Sequence, residues 1–422
     1  MSTRITADHR ALMQRVEEVI DHIERDPEEA LNLPSVVDEI ISRLQDELGI
    51  YGARLYESDG DSFVLRASFP ESPEEKREVD EVRILRTYPP IQLSLMRGSI
   101  YMRADDPSVD PELEASLGVK EFAAVELGNG QYILGFSVAP GHHREDILFS
   151  LGVVRHSLNR RLRQERLTEI VRQARQIQVS ILPQESPRFG PFDIAGRNQS
   201  MESVGGDLFD FIPITDKILG LAIADASGHG LPAALQVRDI YTGLRMGLGR
   251  DFKIVRTVER LNNIISTSTL TSRFVSMFYG ELELNGGFIG VNAGHPPPFH
   301  LSAKGKTTFL DAGGPVLGPL PNASYDRSFV QMKPGDLLVL YTDGITETLR
   351  ASQDSQESDD REEYGVERLL EVARSQQGRS AEDVIEAIFQ SLEEWSGGAP
   401  AQDDCTLVVV VYPRDSKNMA SP

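Results

Sequence analysis

The chain has one cysteine, Cys405, in 422 residues, so no intramolecular disulfide can form and a reducing compartment fits. It has no run of about 18 uncharged apolar residues, and its start, MSTRITADHRALMQ, lacks the apolar core of a secretory signal. A cytoplasmic protein with no membrane partner is therefore expected. Positive charge is scarce: 43 Lys and Arg stand against 65 Asp and Glu, a net charge of -22. That balance disfavours nucleic acid or an anionic membrane surface as the main partner, while it can concentrate divalent cations. Familiar catalytic signatures are missing too. The segment IADASGHGLPAAL, residues 223–235, crowds Asp225, Ser227 and His229 into five positions. It has no G-x-S-x-G elbow, no G-x-G-x-x-G and no Gly-Lys-Ser/Thr ending, and a hydrolase triad is assembled by the fold rather than within one short loop.

What is present suggests two or three domains. Leu12, Val16, Val19 and Ile23 recur at spacings of three and four, which predicts a helix ended by Asp26 and Pro27 within an N-terminal segment 1–33. A second helix is expected to open on Ser35, with Val37, Ile40, Ile41, Leu44 and Leu48 on one face. The runs GARLYES, SFVLRAS, AAVELGN and QYILGFSV then alternate with turn signals, so residues 34–150 read as a small α+β domain. From about Ile147 to Leu182 one long helix is expected, stopped by Pro183. Its basic first half, with Arg155, Arg160, Arg161, Arg163 and Arg166, reads as a solvated face. Its second half spaces Leu167, Ile170 or Val171, Ala174, Ile177 and Ile181 like a heptad seam. Residues 151–183 are thus a candidate coiled-coil linker, and a homodimer through it and the N-terminal helices is expected.

Residues 184–415 form the remaining domain. Strand candidates are ILGLAIAD, FVSMFYGELEL, GFIGVNAG, DLLVLYTD and CTLVVVVY, and helices fit at 232–248, 253–268, 365–375 and 381–394. The acidic run RASQDSQESDDREE reads as a flexible insertion, and 416–422 as a disordered tail. The chemistry gathers where strands meet aspartates: Asp207 and Asp210 in VGGDLFDF, Asp225 in GLAIADASG, Asp343 in LVLYTDG, and Asp403 and Asp404 in AQDDCTLVVV. A carboxylate at the edge of a buried strand is costly without a compensating cation, and no basic residue is adjacent in sequence to any of these. Oxygen-only ligands favour Mg²⁺ or Mn²⁺ over zinc. Adjacent Gly205, Gly206, Gly228 and Gly344 allow close approach. Alone, this reasoning reaches a binuclear metal hydrolase.

The motifs ARQIQVSILP, VGGDLFDF, ADASGHGLPAAL, NAGHPPPF, YTDGITET and DDCTLVVV, in that order, resemble the metal-dependent PPM-type serine/threonine phosphatases, in the bacterial branch that regulates sigma factors. The resemblance implies an α-β-β-α sandwich and two Mn²⁺ or Mg²⁺ ions between its sheets. By it, Asp225 bridges both ions with the Ala226 carbonyl beside it, Asp343 and Asp403 hold one ion, and Asp207 reaches the site directly or through water. The nucleophile it implies is metal-activated water. Asp210, Asp404, Gly206 and His229 would support these ligands, and Arg197 is a candidate phosphate contact, with a surface salt bridge as the competing role. The implied substrate is a phosphoserine or phosphothreonine on a STAS-type anti-sigma-factor antagonist. Two departures affect the approach to the site: no proline precedes the glycine pair in GRNQSMESVGGD, and the acidic insertion replaces a short glycine-rich link.

The N-terminal domain resembles a GAF sensory domain. It has no cysteine to hold a bilin, and its ligand or protein activator is unidentified. His142 and His143 read as solvent-exposed, His295 as support for the sheet beneath the site, Trp395 as core and Cys405 as inert packing. Two rival functions share these features. One is a small-molecule phosphomonoesterase; the other, a non-catalytic signalling scaffold, is disfavoured because no candidate ligand aspartate is replaced.

Overall fold

The computed structural model describes residues 9–25, 31–69, 82–103, 105–116, 120–201, 204–228, 230–247, 253–267, 274–351, 362–399 and 401–414. His229, most of the acidic insertion and the 416–422 tail lie outside them. The chain divides into two units, Met1–Glu169 and Ile170–Pro422. Among the described residues no helix is long and apolar enough to cross a membrane.

In the first unit, helices α1 (His9–Glu24) and α2 (Leu33–Leu48) precede a six-stranded antiparallel sheet. Its strands are β1 (Ile50–Asp59), β2 (Ser62–Phe69), β3 (Arg83–Leu85), β4 (Ser99–Arg103), β5 (Glu121–Leu127) and β6 (Tyr132–Val138), in the order β3-β2-β1-β6-β5-β4. Helix α3 (Pro89–Arg97) precedes β4, and the short α4 (Pro111–Ser116) follows it. One face of the sheet buries the apolar stripes of α1 and α2 together with Ile147, Leu151, Val154 and Leu158 of α5 (Arg144–Ile181). Helix α2 begins two residues before Ser35. Asn32 is the cap, its side chain accepting from the Ser35 backbone N–H, because Pro34 is tolerated in a first helical turn where its missing N–H has no partner to lose.

The basic half of α5 is less solvated than its composition suggests. The Arg155 side chain binds the backbone carbonyl and carboxylate of Glu126, and Arg161 is only 5% exposed. His142 is likewise half-buried, its ring at 3.2 Å from the Glu47 carbonyl. In the second half of α5, Leu167, Ile170, Val171 and Ile177 are exposed, while Ala174 packs on Val204 and Ala234.

The second unit stacks two sheets between two pairs of helices. Strands β8 (Asp207–Thr215), β9 (Ile218–Ala226), β10 (Val275–Glu283), β11 (Gly287–Ala293) and β14 (Gly313–Gly314) form one sheet, with β15 (Ser328–Gln331) also on β11. Strands β7 (Asp193–Gln199), β12 (Phe299–Leu301), β13 (Thr307–Phe309), β16 (Leu337–Tyr341) and β17 (Cys405–Val411) form the other, in the order β13-β12-β16-β17-β7. Period-2 alternation then sorts the side chains. Leu208, Ala222, Ala224, Met277 and Tyr279 pack on α6 (Leu231–Gly247) and α7 (Ile254–Ser266). Leu337, Val339, Leu407 and Val409 pack on α9 (Gly365–Ser375) and α10 (Ala381–Ser396). Phe209, Phe211, Leu221, Ile223, Phe278, Leu338, Leu340, Val408 and Val410 fill the space between the sheets. The result is an α-β-β-α sandwich, with a one-turn helix α8 (Asp343–Thr346) directly after β16.

Candidate active site

Register carries the aspartates to one place. Asp207 on β8 stands opposite Asp225 on β9, and Asp225 stands opposite Ser276 on β10. All three share the parity of the residues that face the inter-sheet core, so they form one row across the sheet at its edge. The other sheet faces this row with Thr342 and Asp343 after β16 and with Asp403, Asp404 and Thr406 around the start of β17. Asp207 is 2% exposed and accepts from the Thr342 hydroxyl at 2.8 Å and the Thr406 hydroxyl at 2.5 Å. Burial, and then the neighbouring Asp225, still raise its carboxyl well above the ordinary range.

Asp225 is pushed up to about 7, first by burial and then by Asp343, Asp403, Asp404 and Glu347. Asp343 opens α8, accepts from the Gly344 N–H at 3.0 Å and is raised by burial. The strongest charged neighbours of Asp225 are thus carboxylates on or beside the opposite sheet. Glu347, four residues past Asp343, had no place among the sequence candidates, although the i, i+4 offset on the turn after LVLYTD could have signalled it.

Asp404 has a different task. Its two oxygens accept from the N–H groups of Met201 (2.7 Å) and Gly206 (2.6 Å), lashing the loop before β8 to the start of β17. The glycines are there for close approach. A Cβ on Gly206 would lie 2.8 Å from the Ala226 carbonyl oxygen, and one on Gly344 would lie 2.1 Å from the Asp404 carbonyl oxygen. Gly206 therefore packs directly against the carbonyl named as a ligand. Gln178 of α5 holds the same loop from behind, its amide bonded to both the N–H and the carbonyl of Gly205.

Two candidates stand elsewhere. Asp210 lies three residues after Asp207, so alternation turns it to the opposite face, where Arg245 of α6 binds both its oxygens at 2.9 and 3.0 Å. A basic residue therefore does stand beside this aspartate, and it is withdrawn from the cluster. Arg197 points to the helical side of its sheet, bonded to Glu382 and Glu386 at 2.6 and 2.7 Å and stacked on Phe389, which matches the salt-bridge role rather than phosphate contact. Ser227 exchanges hydrogen bonds with the Phe274 backbone, which leaves it a turn residue. Cys405 donates to the Gly344 carbonyl and burial pushes its thiol up to about 12, so it is packed and unreactive at neutral pH.

Among the described residues no three His, Cys, Asp or Glu side chains stand close enough to form a closed ligand set. Carboxylates that repel one another are expected to stand apart until a cation draws them in. The donor chemistry fits a hard divalent ion: carboxylates and the Ala226 carbonyl, with the Asp225 carboxyl pushed up to about 7 by burial and then by its acidic neighbours.

Residues 215–413 match the family model described as stage II sporulation protein E (SpoIIE), a span that includes Asp225, Asp343 and Asp403 and begins after Asp207. Protein IcfG of Synechocystis is 27% identical over 264 residues, covering 56% of this chain and 40% of its own length. The phosphoserine phosphatase RsbU of Bacillus subtilis is 28% identical over 264 residues, covering 62% of this chain and 75% of its own length. The SiaA-PP2C domain of Pseudomonas aeruginosa superposes with a TM-score of 0.51 at 18% identity, over 58% of this chain and 97% of that domain.

Proposed function

We propose that this chain, whose residues 215–413 match the SpoIIE family model and whose C-terminal unit has the fold of the SiaA-PP2C domain, is a metal-dependent protein serine/threonine phosphatase whose substrate is a phosphorylated STAS-type anti-sigma-factor antagonist. The observation that carries this reading is the row Asp207–Asp225 faced by Asp343 and Asp403 from the second sheet, with the strongest charged neighbours of Asp225 all carboxylates. Asp225, the Ala226 carbonyl, Asp343 and Asp403 would hold two Mn²⁺ or Mg²⁺ ions, with Asp207 behind them. Bound divalent ions polarise water and phosphoryl oxygens for in-line displacement.

The chain's own residues set the geometry. Thr342 and Thr406 fix the Asp207 carboxylate by donating to it, and Asp404 closes the loop that places Gly206 against Ala226. Glu347 is exposed and close enough to act on Asp225 and Asp343, so its carboxylate can meet a substrate donor. The likeness to RsbU, a phosphoserine phosphatase, supports the substrate class. Control by the N-terminal unit, read as GAF-like, through α5 of a homodimer belongs to the same proposal.

The test compares two substrates in Mn²⁺: a phosphoserine-bearing STAS protein and p-nitrophenyl phosphate. A kcat/KM at least 100-fold higher on the protein is expected. Equal or higher efficiency on the small ester would make this a phosphomonoesterase, and turnover of neither would leave a scaffold.

A further inference from the structure

The row across the sheet has a third member that the proposed chemistry leaves without a task. Ser276 stands opposite Asp225 on the same face, and side chains directly opposite on antiparallel strands have Cβ atoms only about 4.5–5.5 Å apart. A serine hydroxyl that close to a carboxylate would ordinarily donate to it, since a charge-assisted bond of this kind is stronger than a neutral one. Here it does not. The Ser276 hydroxyl lies 2.8 Å from Nδ1 of His295, and both side chains are buried, at 6% and 4% exposure.

His295 is held rigidly for this contact. Asn292 clamps its backbone from both sides, accepting from the His295 N–H at 2.7 Å and donating to its carbonyl at 2.9 Å, and Gly294 takes the left-handed conformation (φ +66°) that the turn between them requires. Burial holds the imidazole neutral at ordinary pH, its pKa lowered to about 3, so one ring nitrogen carries a proton and the other accepts. Nε2 is buried without a group in hydrogen-bond geometry, and the Tyr341 backbone favours the protonated ring. With the proton on Nε2, Nδ1 is the acceptor and the Ser276 hydroxyl the donor.

We propose that His295 carries its proton on Nε2 and is a positioning residue that draws the Ser276 proton away from Asp225, so that both oxygens of the Asp225 carboxylate stay available to a divalent cation. The inference rests on the cation site proposed at Asp225. A hydroxyl proton turned onto Asp225 would have to be displaced before a cation could bind, so removing the imidazole acceptor weakens binding, and removing the hydroxyl as well restores it.

Calorimetric titration with Mn²⁺ alone tests this by binding rather than turnover. His295→Phe, which fills the ring space without an acceptor, is expected to bind Mn²⁺ about threefold to tenfold more weakly than wild type, the size of one hydrogen bond. Ser276→Ala and His295→Asn, whose side-chain oxygen can accept where Nδ1 did, should stay within about twofold of wild type. Ser276→Ala/His295→Phe should match Ser276→Ala. Wild-type affinity in His295→Phe, or a double variant as weak as His295→Phe, overturns the inference, because the ring would then act only as support. If His295→Phe does not fold, nitrogen-15 spectra of the wild-type histidines decide: a proton on Nε2 agrees and a proton on Nδ1 overturns it. Wild-type binding of Mn²⁺ that Asp225→Asn leaves intact would instead refute the cation site itself.

Discussion

Replacing Asp225 with asparagine should stabilise the metal-free protein while abolishing its response to metal. In the folded chain the Asp225 carboxyl is raised from 3.8 to about 7, by burial and then by Asp343, Asp403, Asp404 and Glu347. A group raised in this way binds its proton more tightly folded than unfolded. Its contribution is fully present below about pH 4 and is lost as the pH rises through about 7. At pH 8 the ionised carboxylate therefore costs on the order of 4 kcal/mol relative to the unfolded chain. Side-chain relaxation and water entry reduce this, so a gain of about 1–3 kcal/mol is expected for Asp225→Asn, or about 3–10 °C in melting temperature for a unit of this size. The assay is thermal denaturation in EDTA at pH 8 and pH 5, repeated with Mn²⁺. In EDTA the variant should melt higher at pH 8, and the gap should narrow at pH 5, where the wild-type carboxyl is protonated. With Mn²⁺ the wild type should rise and the variant should not. A variant no more stable than wild type in EDTA at pH 8, or equal Mn²⁺ shifts in both, would refute the reasoning.

Other substitutions probe the surroundings. Arg245→Met strands the 2%-exposed Asp210 without its cation and should cost about 3–5 kcal/mol in urea denaturation, most of it recovered in Asp210→Asn/Arg245→Met; a loss below about 1 kcal/mol contradicts the pairing. Arg197→Ala removes a surface pair, so stability should change by less than about 1 kcal/mol and phosphate release by less than twofold, whereas a tenfold loss of rate would return Arg197 to phosphate binding. Gly344→Ala places a methyl 2.1 Å from the Asp404 carbonyl oxygen, which must move; a loss of about 2 kcal/mol with weaker Mn²⁺ binding is expected, and a neutral variant would show that the contact is not tight.

Much of this molecule is legible in one dimension because its elements follow their periods. The helices expected at 232–248, 253–268, 365–375 and 381–394 are found at Leu231–Gly247, Ile254–Ser266, Gly365–Ser375 and Ala381–Ser396. Each carries an apolar stripe and a clear break, and the runs ending in Asp225 and Asp343 are strands for the same reason. What the sequence hides is pairing between distant residues. The offset of three between Asp207 and Asp210 already separates them by face, but Arg245 lies 35 residues beyond Asp210, and only packing of α6 on β8 brings it there. Arg197 finds Glu382 and Glu386 nearly 190 residues away, across the contact of β7 with α10. Asp404 looked equivalent to Asp403 because they are adjacent. Both raise Asp225, but strand geometry turns only Asp404 onto the backbone N–H groups of Met201 and Gly206. Ser276 and His295 carried no visible link to Asp225, since that link exists only in the register of β9 with β10.

The most direct test of the central claim is release of inorganic phosphate from a phosphoserine protein by the wild-type chain, with Mn²⁺ and then with excess EDTA, beside Asp343→Asn. The carboxylate cluster predicts turnover that needs the metal, stops in EDTA, returns when Mn²⁺ is restored and falls at least 100-fold in the variant. Undiminished turnover in EDTA, or a fully active Asp343→Asn, would contradict it.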